Sequence, residues 1–257
     1  MKVRLAGLFA LCCALTLVAS FLNSPESQST KASSDALSQA EQDLLKEINL
    51  ARANPNVYAT YLEGLKPLFS GKLYTRPGHG ALTTEEGWSA VEEAIKFLRA
   101  AKPQGPFNVS NGLRLAALAH CADQSGIGTT GHKGGGGLIE DRVKPFGRWQ
   151  GAIGENLSYG DESARERVLT WLIDDGVASR GHRKRLLSAD YRVAGVACTS
   201  HPEFGKMCAL TLAGSFVDSA AAKPATSNQN KSTGKTNTNK SKTNTNKSKT
   251  TGKPPSL

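Results

Sequence analysis

The chain has 257 residues, with 32 Lys and Arg against 22 Asp and Glu, a formal charge of +10 and five cysteines. Two of the positive charges lie in the first 20 residues and eight lysines lie in residues 221–257; neither stretch holds an acid, so residues 21–220 carry no net charge. A nucleic-acid-binding face needs its positive charge on the fold itself, so no nucleic-acid partner is expected. The remaining length suits one domain.

Residues 1–20 have a basic start (Lys2, Arg4), an apolar run from Leu5 to Val18 and the small residues Ala19 and Ser20. That is the layout of a secretory signal peptide, and the run is short for a membrane span, so a secreted or extracytoplasmic location is expected. Residues 21–37 read as a flexible leader, 38–218 as the folded domain and 219–257 as a disordered basic tail. Ser38-Gln39-Ala40-Glu41 forms a capping box ahead of Leu44, Leu45, Ile48 and Ala51 at helical spacing, and Pro55 ends the run. Residues 57–65 suggest a further turn or short helix, and 66–81 a long loop with His79 solvated between two glycines. Thr83-Thr84-Glu85-Glu86 reads as the cap of a helix that packs through Trp88, Val91, Ile95 and Leu98.

A third helix is expected over 111–124, ended by Gly126 and packing through Leu115, Ala116, Leu118, Ala119 and Ala122, with His120 and Cys121 structural. The loop 128–137 has six glycines around His132 and Lys133; it lets the backbone approach a ligand, and it lacks the P-loop pattern of a nucleotide site. Residues 153–159 alternate like a strand with Glu155 near its start. Ser163 opens another capping box, whose helix is expected to reach about Asp175 and to put Trp171 and Asp174 on one face. Two acids at a helix C-terminus oppose the helix dipole, which asks for a metal or a cation nearby. The basic run Arg180–Arg185 either forms a solvated rim, attracts an anionic head group or glycan, or pairs with Glu155, Asp174 and Asp175; pairing of at least one Arg is favoured.

Residues 191–198 and 207–216 read as a hairpin with a longer loop, and in a secreted chain Cys198 and Cys208, with nine residues (199–207) between them, are well placed for a disulfide that leaves Cys121 over. The tail contains K-T-N-T-N-K-S twice in succession (235–241 and 242–248) and no apolar periodicity. It is either a solvated spacer or an electrostatic contact to an anionic surface.

Two imidazoles and two carboxylates, His132, Glu155, Asp174 and His182, are the side chains that bind a divalent metal or move protons near neutral pH. In the contexts G-H, G-E-N, W-L-I-D and G-H-R, over residues 44–216, the sequence resembles the CAP superfamily (cysteine-rich secretory proteins, antigen 5 and pathogenesis-related proteins) in its bacterial SCP-like form. It departs where Asp174 replaces the usual Glu and where Arg183 and Lys184 replace a Y-T-Q sequence. The resemblance implies an α/β fold, a three-layer α-β-α sandwich with a central antiparallel sheet. It also implies a cleft lined by His132, Glu155, Asn156, Asp174 and His182 that takes a lipid, sterol or cell-wall ligand.

The first functional expectation is a secreted binding module. Its cleft would hold zinc or calcium through His132 and His182, with Glu155 and Asp174 as further ligands or as groups fixing the His tautomers. The alternatives are a metal-dependent hydrolase with Glu155 and Asp174 as catalytic carboxylates, Glu155 being the general base, and a structural adhesin with a vestigial site. No G-x-S-x-G serine motif is present. Nothing in the pattern assigns an oligomeric state.

Overall fold

The computed structural model describes residues 36–223; the expected signal peptide, residues 21–35 of the leader and the tail beyond 223 lie outside them. The folded unit begins at Leu37. Its elements are α1 (Gln39–Ala53), α2 (Pro55–Glu63), β1 (Phe69–Ser70), β2 (Leu73–Thr75), β3 (Ala81–Thr83), α3 (Trp88–Ala100), β4 (Asn108–Val109) and α4 (Asn111–Ile127). There follow α5 (Ile139–Arg142), β5 (Gly147–Tyr159), α6 (Ala164–Ile173), α7 (Gly181–Leu187), β6 (Val193–His201) and β7 (Gly205–Asp218). Among the described residues no helix is long and apolar enough to cross a membrane.

The main sheet has the order β4-β6-β7-β5; its long strands are antiparallel, and the two-residue β4 joins β6 in parallel. Successive side chains of a strand point to opposite faces, and β7 buries both. Cys208, Leu210 and Leu212 pack with Leu44, Ile48, Tyr58, Val91 and Leu172. Met207 and Ala209 pack with Ala117 and Cys121, and Ala213 packs with Leu113 and Ala116. Helices therefore cover the sheet on both sides, in the expected three-layer α-β-α arrangement. That double burial is why β7 reads as an almost unbroken apolar run.

The capping box at Ser38 and Glu41 forms, and Pro55 both follows α1 and opens α2, where its missing N–H costs nothing. The stretch expected as a loop over 66–81 instead carries a 3₁₀ turn and most of the small antiparallel sheet β1-β2-β3. His79 lies 3.7 Å from Glu166 rather than simply in solvent. Thr83–Glu86 do not cap α3 directly. Gly87 takes that place at φ 64°, and the amides of Glu85 and Glu86 donate to the Asp175 carboxylate at 2.7 and 2.9 Å.

Helix α4 runs past Gly126 because Gly128, at φ 70°, supplies the left-handed cap. Its buried face is Leu113, Ala116, Ala117, His120, Cys121 and Gln124, whereas Ala119 and Ala122 are exposed. The hairpin loop is only Pro202–Phe204, since the ladder continues to the His201–Gly205 pair. Cys198 and Cys208 stand directly opposite each other and form the disulfide. Cys121 stays free and buried, and burial pushes its thiol up to about 12.

The sheet and α4 approach closely at Gly195 on β6, where a Cβ would meet Arg114 N at 2.0 Å and Leu113 C at 2.2 Å. Both are backbone atoms, so no side chain can move aside. Gly195→Ala should cost roughly 3 kcal/mol or abolish folding, read as the shift of the urea-unfolding midpoint. An unshifted midpoint would contradict this packing.

Candidate functional site

Strand β5 is an edge of the main sheet, and its residues Glu155 and Asn156 point to opposite faces. Glu155 is 3% exposed on the face that α4 covers. Its Oε1 accepts the Nδ1–H of His132 at 2.9 Å, and its Oε2 accepts from Arg142. Burial alone would push the Glu155 carboxyl up. The hydrogen bond from His132 and the charge and hydrogen bond of Arg142 outweigh burial and hold it below the ordinary carboxylate range.

The glycine-rich loop that carries His132 is pinned at several points. Arg142 donates to the carbonyls of His132 and Gly137 at 2.6 and 2.9 Å. His120 Nε2 and Gln124 Nε2 donate to Gly131 O, and the Tyr159 hydroxyl accepts from Gly131 N. Gly135 N donates to Asp123 at 2.6 Å. A Cβ on Gly134 would stand 2.4 Å from Asp123 Oδ2 and 2.9 Å from His120 Nδ1, so the loop lies against α4 only because that position lacks one.

On the other side of the strand, Asp174 does not extend α6. It caps the helix in the left-handed conformation, φ 57°, which Asp tolerates better than most residues. Asp174 and Trp171 therefore do not share a helical face. The Trp171 indole instead donates to Leu157 O at 2.8 Å, which ties α6 to β5. Asp174 Oδ1 accepts the Nδ1–H of His182 at 2.6 Å, while Oδ2 accepts the backbone N–H of His182 at 2.9 Å and of Arg183 at 3.3 Å.

The two acids that ended α6 thus need no cation. Asp174 binds the first amides of α7, and Asp175 binds those ahead of α3. Asn156 is buried, and its Nδ2 donates to His182 O at 3.2 Å.

The two imidazole centroids lie 6.4 Å apart, with His132 about half exposed (49%) and His182 at 22%. Each ring has Nδ1 committed to a carboxylate, which leaves each Nε2 as the free nitrogen. The basic run pairs with α3 and not with the cleft acids. Arg180 makes a two-pronged contact with Glu86 at 2.6 Å for each arm and also binds Glu93, while Arg183 reaches Glu93 at 2.9 Å. Arg142 was not visible in the sequence: a single Arg on a four-residue helix carries no pattern that marks it as the partner of Glu155.

Among the described residues no group of three or more His, Cys, Asp or Glu is arranged to hold a metal ion. All four oxygens of Glu155 and Asp174 are occupied by protein donors, so these residues act behind the imidazoles rather than as ligands. Calcium, which needs six to eight oxygens, does not fit this donor set. A zinc-class ion fits it to the extent of two nitrogens whose opposite ring positions are held by carboxylates.

Glu155→Gln should destabilise the protein by about 3 kcal/mol at pH 7, because it leaves the Arg142 charge buried and unpaired. The contribution of a depressed carboxylate is present above its ordinary pKa and disappears as pH falls through the folded value. The gap between variant and wild type in urea unfolding should therefore be full above the ordinary carboxylate pKa and narrow progressively as pH falls below it. An equal gap at pH 3 and pH 7 would contradict the assignment.

Residues 92–217 match the family model described as the cysteine-rich secretory protein family, CAP. Among solved structures, an extracellular protein containing an SCP domain from Bacillus anthracis str. Ames aligns at 20% identity with a TM-score of 0.35, over 48% of this chain and 38% of that one. The chain thus spans well under two thirds of the length of that structure. No curated protein matches. The matched segment, 126 of the 257 residues, contains His132, Glu155, Asp174 and His182, and over it the chain is similar to the CAP family.

Proposed function

We propose that the protein is a secreted CAP-domain binding module in which His132 and His182 present their Nε2 atoms to a lipid, sterol or cell-wall ligand, with a zinc-class ion as the group they can share. The supporting observation is that every carboxylate oxygen of Glu155 and Asp174 already has a protein donor. Such carboxylates orient the imidazoles and make them better donors of electron density. A hydrolase using Glu155 as general base needs that carboxylate free to take a proton from water. Here Arg142 holds one oxygen, His132 holds the other, and both lower its basicity.

His132 and His182 would hold such an ion through their Nε2 atoms, where it would supply positive charge for an oxygen of the ligand. The chain's own residues then fix the geometry: Glu155 and Asp174 set the tautomers, Arg142 holds the His132 loop, and Asn156 holds the His182 backbone. Extracellular placement rests on the signal-like first 20 residues, and the lysine-rich tail supplies attraction to an anionic surface.

Calorimetric titration of metal-stripped protein should show one-site zinc binding, lost in His132→Ala and in His182→Ala. Asp174→Asn, which keeps the ring but weakens its hold, should reduce affinity by about 10- to 100-fold. Calcium should give no heat of binding. Zinc binding that ignores both histidine substitutions, or calcium binding at the same site, would overturn the proposal.

A further inference from the structure

Two buried imidazoles from different elements hold carbonyls of the glycine-rich loop that carries His132. His120 of α4 is fully buried and gives its Nε2–H to Gly131 O at 2.9 Å. His201, the last residue of β6, is also buried and gives its Nε2–H to Thr129 O at 3.0 Å. A carbonyl can only accept, so each Nε2 carries a proton, and in a neutral ring Nδ1 then carries none. His201 Nδ1 accepts the amides of Glu203 and Phe204 at 3.3 and 3.4 Å. His120 Nδ1 is buried and has no hydrogen-bond partner among the described residues.

The surroundings of that Nδ1 decide what a second proton does to the loop. Gly134 lies over it, at a place where a Cβ would stand 2.9 Å from His120 Nδ1 and 2.4 Å from Asp123 Oδ2. Asp123 follows His120 by three residues on α4, and its Oδ2 already accepts Gly135 N at 2.6 Å. A proton on Nδ1 turns it into a donor that needs an acceptor, and a buried imidazolium without one is costly. Water reaches it only if Gly134 lifts off α4. Asp123 turns to it only by giving up Gly135 N. Both routes loosen the loop.

Burial, the largest influence, holds the His120 imidazole below its ordinary pKa. Glu155 on β5 and Asp123 on α4 favour its charged form, and Arg142 on α5 opposes it. Tyr159, which accepts from Gly131 N, is pushed up by burial and stays neutral, while the loop's own His132 and Lys133 are exposed. We propose that His120 is a pH-sensitive latch: neutral, it holds the glycine-rich loop shut on α4, and protonated, it releases residues 131–135 and with them the His132 side of the cleft. The closed loop disfavours the proton, so its stability is full above the ordinary histidine value and falls as pH drops below that value. The consequence for a ligand rests on the reading of the cleft as a binding site, whereas the opening itself is measured without metal or ligand.

The test is amide hydrogen exchange of the full-length protein in EDTA, read by NMR as protection factors between about pH 7.5 and about pH 5.5. The hydrogen-bonded loop amides are those of Gly131, Gly134, Gly135 and Gly137, and the amides of β7 serve as the reference. In wild type the loop should lose protection as pH falls, by at most about tenfold per pH unit for one proton, while β7 stays protected. His120→Gln puts a side-chain amide nitrogen where Nε2 stood and cannot titrate, so its loop should stay protected at both ends of the range. In the same wild-type samples the loss should follow the titration of the His120 ring signals, a readout that does not depend on the variant folding. The proposal is overturned if wild-type loop protection is the same across the range, if His120→Gln loses as much as wild type, or if the loop loosens at a pH where the His120 ring does not titrate. Zinc binding plays no part in these measurements, so failure of the metal reading and failure of the latch are told apart.

Discussion

The buried ion pair between Arg142 and Glu155 is the contact on which the site depends. Glu155 sits on an edge strand, where a carboxylate would ordinarily turn to water, yet it is enclosed with its partner. Taking two charges out of water is repaid only when every remaining donor and acceptor is also used. Arg142 meets that condition in part through the carbonyls of His132 and Gly137, and Glu155 through the His132 ring. One pair therefore fixes the strand, the glycine-rich loop and the imidazole together.

The opposite side of the strand repeats the arrangement with different parts. His182 is held by Asp174, but the carboxylate is stabilised by backbone amides at the start of α7 instead of by a buried arginine. Arginines do appear nearby, and they face away from the cleft. Arg180 and Arg183 bind Glu86 and Glu93, tying α3 to the turn that precedes α7 and to α7 itself. The basic run is thus a bolt between helices, and it leaves the cleft with two outward nitrogens and no unpaired charge from these arginines.

The small sheet gives the cleft a second character. Its backbone pairing is short, so its position depends on side chains. Phe69 stacks on Tyr74 and rests on Trp88, and Arg76 reaches Glu162 in the turn before α6. An apolar wall thus stands beside a polar pair of imidazoles, the combination expected of a site that places one polar group of a ligand while burying the rest.

Several features were determined by local sequence alone. The capping boxes at Ser38 and Ser163 formed as read, because a cap involves residues three apart. The disulfide between Cys198 and Cys208 and the sandwich itself followed from strand alternation and from the resemblance at four short motifs. The same motifs named the two imidazole–carboxylate pairs, His132–Glu155 and His182–Asp174, that the fold brings together.

What local sequence could not carry were contacts between residues distant along the chain and the faces of weakly patterned elements. Helix α4 is rich in alanine on every side, so its buried face, which includes His120 and Gln124, was decided by the layer it packs on. The small sheet was taken for a loop because two- and three-residue strands have too little alternation to register. Asp174 and Asp175 looked like helix-end acids in need of a cation, and folding brought each to the amides of another segment. Arg142 and Glu155 are close in sequence, yet their pairing emerged only when α5 was laid against β5. Spacing records what one element can do by itself, whereas the partner of a buried charge is set by whichever chain segment the packing puts within hydrogen-bond reach.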